Sequence, residues 1–230
     1  MEFSTHPGFR LQALRIGREQ APLVVIDDFA AAPDALVDFA AGKIFSDVTS
    51  YYPGVRAKVP LSYQQFAINT LRPVVAEHFG LNAAGLRFTA CYFSLVTTLP
   101  ANLTYLQRIP HVDSLSANEL AFVHYLFRAN HGGTAFFRHR ATGFESIDAA
   151  RRPEYWRHIE AEQNSPDSPP AAYIDGDTAL YEQTARQDGV FNRLLLYRRN
   201  TLHSGAIPAH FVPDADPRRG RLSLNGFLAA

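Results

Sequence analysis

Short apolar runs separated by polar turns dominate the chain, and they predict more strand than helix. The run LVVIDDF at 23–29 is apolar and β-branched, which indicates a buried strand. Two helices are predicted early in the chain, one from Pro33 to about residue 41 and one over about 62–79. Pro33 suits a first helical turn, and Gly42 and Gly80 suit helix ends.

From residue 86 onward the pattern becomes aromatic and β-branched, which is typical of strands. Strand-like segments separated by Gly, Pro, Asn and Asp lie at 87–97, 120–127, 134–140, 181–186, 190–198 and 221–227. Asp188 and Gly189 predict a tight hairpin turn between 181–186 and 190–198, and the turn formers of 51–60 predict a loop. The chain is therefore predicted to be mainly β with flanking helices (α+β), with an antiparallel sandwich or barrel of roughly seven or eight strands.

An insertion at 141–177 interrupts this pattern. It contains a helix candidate at 153–163 and the stretch SPDSPP, which suits neither a helix nor a central strand. An insertion of this kind is either a lid over a site or a passive surface excursion. Because Tyr155, Trp156 and Ile159 give its helix an apolar face, we expect it to border a substrate entrance and to be more mobile than the sheet.

The composition is that of an ordinary globular protein, with 47% hydrophobic and 19% charged residues. The 22 basic residues balance the 22 acidic ones, which argues against a nucleic-acid partner. The chain has no apolar run of membrane-spanning length and no visible signal peptide. The single cysteine, Cys91, excludes an internal disulfide and multi-cysteine zinc sites. We expect a soluble, cytoplasmic protein without a membrane partner; its oligomeric state is left open.

His111 and Asp113 form a candidate metal site. In a strand, positions i and i+2 point to the same face, so one imidazole and one carboxylate can hold one ion together. A facial triad for non-haem Fe(II) adds a second histidine and leaves coordination positions open. His203 is the best candidate, because it closes an apolar strand and precedes a Ser-Gly pair, where a side chain can lie near a cavity.

The other histidines fit a metal site less well. With 9 histidines and 22 acidic residues, a pair at this spacing is common by chance, and His158 with Glu160 is a second example. That pair falls in a predicted helix, where positions two apart diverge by about 200°. His124 lies within an apolar strand and is expected to be a core histidine with its hydrogen bonds satisfied.

Arg221 and Ser223 form a candidate clamp for a carboxylate. On a strand they share a face, and a guanidinium with a hydroxyl offers charge-assisted hydrogen bonds. Arg221 enters the apolar strand RLSLNGFL, whereas Arg218 and Arg219 precede a glycine in a loop. The alternative is a surface arginine, which is what we expect of Arg138.

In their order, these motifs resemble the 2-oxoglutarate/Fe(II)-dependent oxygenase superfamily, most closely its prolyl-4-hydroxylase-like branch and a bacterial subgroup of it. The similarity runs through VVIDDF before a helix, HVD, a strand ending in Tyr125, GGT leading into AFF, NRLLLYRRNTLHSG and RGRLSLNGFL. It is strongest from about residue 86 onward.

The resemblance implies a double-stranded β-helix (jelly roll) forming one domain over 1–230. In it, 1–85 supply an N-terminal strand and supporting helices, and 86–230 form the jelly-roll core with the insertion. It further implies that His111, Asp113 and His203 are the catalytic iron ligands.

The same resemblance implies that 2-oxoglutarate chelates the iron while Arg221 holds its far carboxylate, with Ser223 and Thr134 in the cosubstrate pocket. A tyrosine that often donates to that carboxylate corresponds to Tyr92, with Tyr105 as a competitor. The implied reaction consumes O₂ and 2-oxoglutarate, releases succinate and CO₂, and hydroxylates an unactivated C–H bond of a small molecule or an amino-acid or peptidyl substrate.

Two other classes of protein stay open. A cupin-like metal enzyme would share the jelly roll and the metal but would need no Arg221 clamp. A non-catalytic jelly-roll binding module would keep the fold with a vestigial site. A metal assay combined with a succinate-release assay separates the three.

Overall fold

A computed structural model describes residues 2–47 and 51–230, and this part of the chain forms ten strands and three α-helices. In chain order they are β1 (Arg10–Ile16), β2 (Ala21–Asp27), α1 (Pro33–Ala41), β3 (Gly54–Lys58), α2 (Leu61–Phe79), β4 (Arg87–Val96), β5 (Glu119–Tyr125), β6 (Gly133–His139), α3 (Arg152–Glu162), β7 (Tyr181–Asp188), β8 (Leu194–Arg198), β9 (His203–Ala206) and β10 (Leu222–Ala229). None of the helices in these two ranges is long and apolar enough to cross a membrane.

The strands form two antiparallel sheets. The major sheet has seven strands in the order β1-β2-β8-β5-β10-β4-β3, and the minor sheet has three in the order β7-β6-β9. The prediction of a mainly β chain with flanking helices is confirmed, as are both N-terminal helices.

The central strands of the major sheet are buried on both faces, which explains the continuous apolar run that forms β2. Leu23 and Val25 pack in the cluster between the two sheets, whereas Val24 and Ile26 pack in the cluster beneath α1 and α2. A strand covered on both sides needs apolar residues at every position rather than at alternate ones. The core therefore lies in two layers, one on each face of the major sheet, and the inner layer occupies part of the space between the sheets.

The predicted loop at 51–60 is wrong, because 54–58 form the edge strand β3, paired with β4. Gly54 permits this pairing. A Cβ atom at that position would lie 1.9 Å from the carbonyl oxygen of Leu95, so only glycine fits between the two strands. The turn formers thus mark a close backbone approach at a sheet edge.

The predicted hairpin at Asp188 and Gly189 is also wrong. β7 pairs with β6 in the minor sheet, whereas β8 lies between β2 and β5 in the major sheet. The connection crosses from one sheet to the other, and the amide of Gly189 donates to the carbonyl of Gly132 at 2.9 Å. The turn into β8 is made at Asn192, whose φ of 66° is in the left-handed region.

The insertion packs against the minor sheet through α3, which spans the predicted helix to within one residue. Tyr155 and Ile159 are buried in a cluster that includes residues of β6, β7 and β9. Glu162, at the end of α3, accepts a hydrogen bond from Nε2 of the fully buried His139 at 2.9 Å. The insertion is thus anchored at its helix, and its greater mobility stays a prediction.

Arg138 is buried rather than solvated, which corrects the expectation from sequence. Its guanidinium pairs with Glu145 at 2.5 Å and with Glu182 at 2.7 Å. Glu145 also accepts the backbone amides of Arg18 and Glu19 in the turn between β1 and β2. Glu145 of the insertion therefore connects Arg138 of β6 with the β1–β2 hairpin.

His124 is a core histidine with both ring nitrogens bonded, as predicted. Asn192 Oδ1 lies 3.0 Å from Nε2, and the Tyr63 hydroxyl lies 2.8 Å from Nδ1. Because an amide oxygen can only accept, Nε2 carries the proton and Nδ1 accepts from Tyr63. Burial lowers the pKa of His124 to about 4, so the ring is neutral at physiological pH.

Candidate metal centre

Backbone pairing brings His111 and His203 side by side. The amide of each donates to the carbonyl of the other, at 2.9 and 3.0 Å, in an isolated bridge. The amide of Asp113 donates to the carbonyl of Arg199 at 2.9 Å. His111 and Asp113 therefore lie in a connecting segment that pairs with His203 of β9 and with Arg199 of the β8–β9 connection, not in a strand as expected.

His203 also differs from expectation in its element. It does not close β8 but begins β9, in the other sheet. The chain leaves the major sheet after Arg198 and enters the minor sheet at His203. The histidine thus lies where the chain passes between the sheets, beside the space that they enclose.

The side chains of His111, Asp113 and His203 converge. One ligand atom of each lies within 4.8 Å of the others. The Nε2 atoms of His111 and His203 lie 3.7 and 3.4 Å from the Asp113 carboxylate oxygens. Atoms sharing one ion at about 2.1 Å lie roughly 3 to 3.5 Å apart, so the triangle is slightly wider than a closed metal site.

His203 is held in the tautomer that a metal requires. Its Nδ1 lies 2.9 Å from the carbonyl oxygen of Thr201, which can only accept a hydrogen bond. Nδ1 is therefore protonated, and the lone pair of Nε2 points toward the carboxylate of Asp113. A backbone carbonyl on the outer nitrogen is a usual support for a metal-binding histidine.

The local electrostatics favour the ligand forms of His111 and Asp113. Partial loss of solvent and then the neighbouring His203 lower the pKa of His111, with Arg56 acting in the same direction and Asp113 opposing. Burial alone would raise the pKa of Asp113, but its neighbours His203, His111 and Arg199 outweigh that effect and lower the value to about 2. At neutral pH the site offers neutral imidazole and carboxylate, the protonation states that bind metal.

These three side chains open on a cavity of about 640 Å³ between the sheets. Both sheets and the insertion contribute to its wall, which is largely aromatic and aliphatic. Its aromatic and aliphatic members include Leu106, Ile109, Ile147, Tyr155, Trp156, Ile159, Tyr173, Tyr197 and Phe227. The insertion therefore borders the site, as the apolar face of its helix suggested.

Arg221 lines the same cavity and is 5% exposed. Its Nε donates to the carbonyl of His131 at 2.9 Å and its Nη2 to that of Gly133 at 2.7 Å. Among residues 2–47 and 51–230, no carboxylate lies within 4.0 Å of it. The wall thus carries a fixed, buried positive charge whose counter-ion is not a neighbouring side chain.

Thr134 and Ser223 line the cavity near this charge and are both buried. The Thr134 hydroxyl lies 2.7 Å from that of Tyr125, which Ser223 opposes in the β10–β5 pairing. The Ser223 hydroxyl donates to Asn225 Oδ1 at 2.7 Å. The structure thus places Arg221, Ser223 and Thr134 in the lining of the same cavity.

Tyr92 and its competitor Tyr105 are not among the residues that line this cavity. Tyr92 opposes Asn225 in the β10–β4 pairing. Asn225 follows Arg221 by four residues, which separates the two by about 13 Å along the strand. Two tyrosines that sequence reasoning missed, Tyr52 and Tyr173, line the cavity instead. Burial raises the pKa of both tyrosines, and the positive charge of Arg221 opposes that shift.

Comparison with known families gives a match over nearly the whole chain. The model of DUF6445, described as a family of unknown function, matches residues 7–228. No curated protein sequence matches the chain significantly.

Two solved structures with the same architecture are of proteins that bind 2-oxoglutarate or depend on it. HygX from Streptomyces hygroscopicus, solved with nickel and 2-oxoglutarate bound, is 12% identical with a TM-score of 0.55, covering 93% of this chain and 87% of its own. The non-haem α-ketoglutarate-dependent epimerase SnoN of nogalamycin biosynthesis is 11% identical with a TM-score of 0.52, covering 92% and 79%. The fold is that of the 2-oxoglutarate-dependent oxygenases, and the predicted jelly roll is confirmed.

Proposed function

Since the chain belongs to the family DUF6445, whose function is unknown, we propose a function from its own side chains. It is an Fe(II)- and 2-oxoglutarate-dependent oxygenase that hydroxylates an unactivated C–H bond of a small molecule or an amino-acid or peptidyl substrate. One observation carries the proposal. The triangle of His111, Asp113 and His203 shares one cavity with the buried Arg221, which has no carboxylate partner among the residues that the structure describes.

The three ligand residues fit Fe(II). Two imidazole nitrogens and one carboxylate oxygen form the donor set typical of non-haem iron oxygenases, and the fixed tautomer of His203 supports it. His111, Asp113 and His203 would hold the ion on one side, and the cavity would remain open on the other. Bound there with 2-oxoglutarate, the iron supplies the activation of O₂ that yields succinate and CO₂.

The wall around Arg221 fits the cosubstrate. Its guanidinium would pair with the far carboxylate of 2-oxoglutarate, and Thr134 and Ser223 line the same cavity. The two carbonyls behind Arg221 hold it in place, so little side-chain entropy is lost on binding. A relative of the same fold, HygX, has been solved with nickel and 2-oxoglutarate, which supports the proposal.

The rest of the protein fits this assignment. We place the chain as one domain over 1–230, in the prolyl-4-hydroxylase-like branch and a bacterial subgroup of it, acting in the cytoplasm. The zero net charge supports a small substrate rather than nucleic acid, and the single buried Cys91 suits a reducing compartment. A cupin-like enzyme without 2-oxoglutarate would leave the buried charge of Arg221 unexplained.

Calorimetric titration tests the proposal. Metal-free, full-length protein should bind one Mn(II) per chain, and 2-oxoglutarate should bind only after the metal. The variant His203→Ala should lose metal binding, whereas His210→Ala, at an exposed position, should retain it. Metal binding without 2-oxoglutarate binding would indicate the cupin-like alternative, and neither binding event would indicate the non-catalytic module.

A further inference from the structure

A second arginine, Arg56, faces the cavity from the edge of the major sheet. In the β3–β4 pairing it opposes Ser94, and in the β4–β10 pairing Ser94 opposes Ser223. Directly opposed residues of antiparallel strands point to the same face, so Arg56 shares the cavity face with Ser223. Its neighbours Val55 and Ala57 pack on the other face, in the core beneath the helices.

The guanidinium of Arg56 is positioned by aromatic rings. It lies 4.5 Å from the centroid of Tyr52 and 5.6 Å from that of Tyr92. Its Nε is buried and has no hydrogen-bond partner, and no acidic side chain of residues 2–47 and 51–230 lies within 4.0 Å of the group. Arg221 differs, because its Nε and Nη2 each donate to a backbone carbonyl. A buried donor without an acceptor is unfavourable, and an anionic ligand would satisfy it.

The net charge of the cavity wall also favours an anionic ligand. The lining residues that the structure describes include three arginines, Arg56, Arg152 and Arg221, and one carboxylate, Asp113. The wall therefore has a net charge of plus two. A divalent metal and the dianion 2-oxoglutarate cancel one another, so this surplus remains after both have bound.

The surplus charge lies beside apolar surface. Arg152 and Trp156 are one turn apart on α3, and both line the cavity at exposed positions. Ile159 continues this face into the cavity. A ligand that satisfies the wall therefore combines an anionic group with an apolar body.

We propose that Arg56 binds an oxyanion of the substrate, a carboxylate or a phosphate, while the apolar part of the substrate lies against α3. Arg152 at the rim adds to the attraction of the anion. The ligand is the substrate only if the proposed oxygenase function holds. The anion site itself rests on Arg56 and its surroundings.

Paired probes that differ only in charge test the proposal by calorimetry. Full-length protein loaded with Mn(II) and 2-oxoglutarate is titrated, without O₂, with N-acetyl-L-tryptophan and its amide, and with phenyl phosphate and phenol. We expect the anionic member of at least one pair to bind about tenfold or more tightly than the neutral one. The pair with the larger ratio distinguishes carboxylate from phosphate.

Variants at the site make the test specific. Arg56→Gln should abolish the preference for the anion, Arg56→Lys should retain part of it, and the exposed Lys58→Gln on the same strand should keep it in full. Thermal melts verify that each variant is folded. If Arg56→Gln does not fold, the test rests on the preference measured for Arg56→Lys.

Three results would overturn the proposal. Equal binding within both pairs by the wild type would exclude an anion site, and an unchanged preference in Arg56→Gln would place that site elsewhere. A loss of 2-oxoglutarate affinity in Arg56→Gln as large as in Arg221→Gln would assign Arg56 to the cosubstrate. Failure of the wild type to bind Mn(II) or 2-oxoglutarate would instead reject the proposed function, and the paired probes still report on the anion site in the metal-free protein.

Discussion

Arg221 illustrates how a single buried cation can be prepared for a ligand. Carbonyl oxygens of His131 and Gly133 hold its Nε and Nη2 from behind, and the ring of Phe127 lies 5.5 Å from its guanidinium carbon. The rest of the guanidinium is left for the cavity. Its neighbour Arg219 is exposed and is already paired with Asp214 and Asp216. The difference between the two arginines is one of surroundings rather than of residue type.

Replacing Arg221 with Gln should weaken 2-oxoglutarate binding sharply. The loss of a buried, charge-assisted pair should cost about 2–4 kcal/mol, or about 30- to 1000-fold in affinity. Calorimetry on the Mn(II)-loaded protein measures the change, with Arg219→Gln as the surface control. An unchanged affinity in Arg221→Gln would show that the cosubstrate carboxylate is held elsewhere.

His124 should make the folded state less stable in mild acid. Its pKa is about 4 in the folded protein and near 6.5 in an unfolded chain, so below pH 6.5 the unfolded state takes up a proton that the folded state does not. The free energy of unfolding should therefore fall by about 2 kcal/mol between pH 7 and pH 5 through this residue alone. Urea denaturation of the wild type and of His124→Gln at both pH values measures it; equal losses in the two proteins would contradict the assignment.

The helix α3 links the insertion to the jelly roll through few buried groups. Glu162 accepts from His139, whose other ring nitrogen lies 2.9 Å from the Thr142 hydroxyl. Glu160, two residues earlier, is exposed to solvent. His158 and Glu160 both lie on α3, the helix that the sequence predicted for them.

Glu162→Ala should destabilise the protein by about 1–3 kcal/mol, because it leaves a buried donor of His139 without an acceptor. Glu160→Ala should change the stability by less than about 0.5 kcal/mol. Thermal melts compare the two variants. Equal melting temperatures would mean that the buried pair does not anchor the helix.

Elements with strong local signals could be predicted from sequence, and elements that depend on long-range pairing could not. α1 and α2 carry a proline at the start or a glycine at the end, and β2 is apolar throughout. β1 and β3 are short edge strands with mixed polarity, so nothing local distinguishes them from loops. The pairing partner of β7 depends on how the two sheets pack together. An Asp-Gly turn signal carries no information about that packing.

The candidate site shows the same division over the whole molecule. His111, Asp113, His203 and Arg221 could be chosen from their residue types and their order in the chain, and the fold brings all of them to one cavity. Arg56 and its surroundings were missed, because they reach the cavity only through the pairing of β3. The spacing within each motif is local, whereas the composition of the cavity wall is a property of the closed sheets.

Succinate formation from 2-oxoglutarate tests the central claim most directly. The purified full-length protein should release succinate in air only when both Fe(II) and 2-oxoglutarate are present. Asp113→Ala should fall to background because it removes the one carboxylate ligand, whereas Asp167→Ala, exposed in the insertion, should match the wild type. Succinate release by Asp113→Ala at the wild-type rate, or none by the metal-loaded wild type, would contradict an Fe(II)- and 2-oxoglutarate-dependent oxygenase.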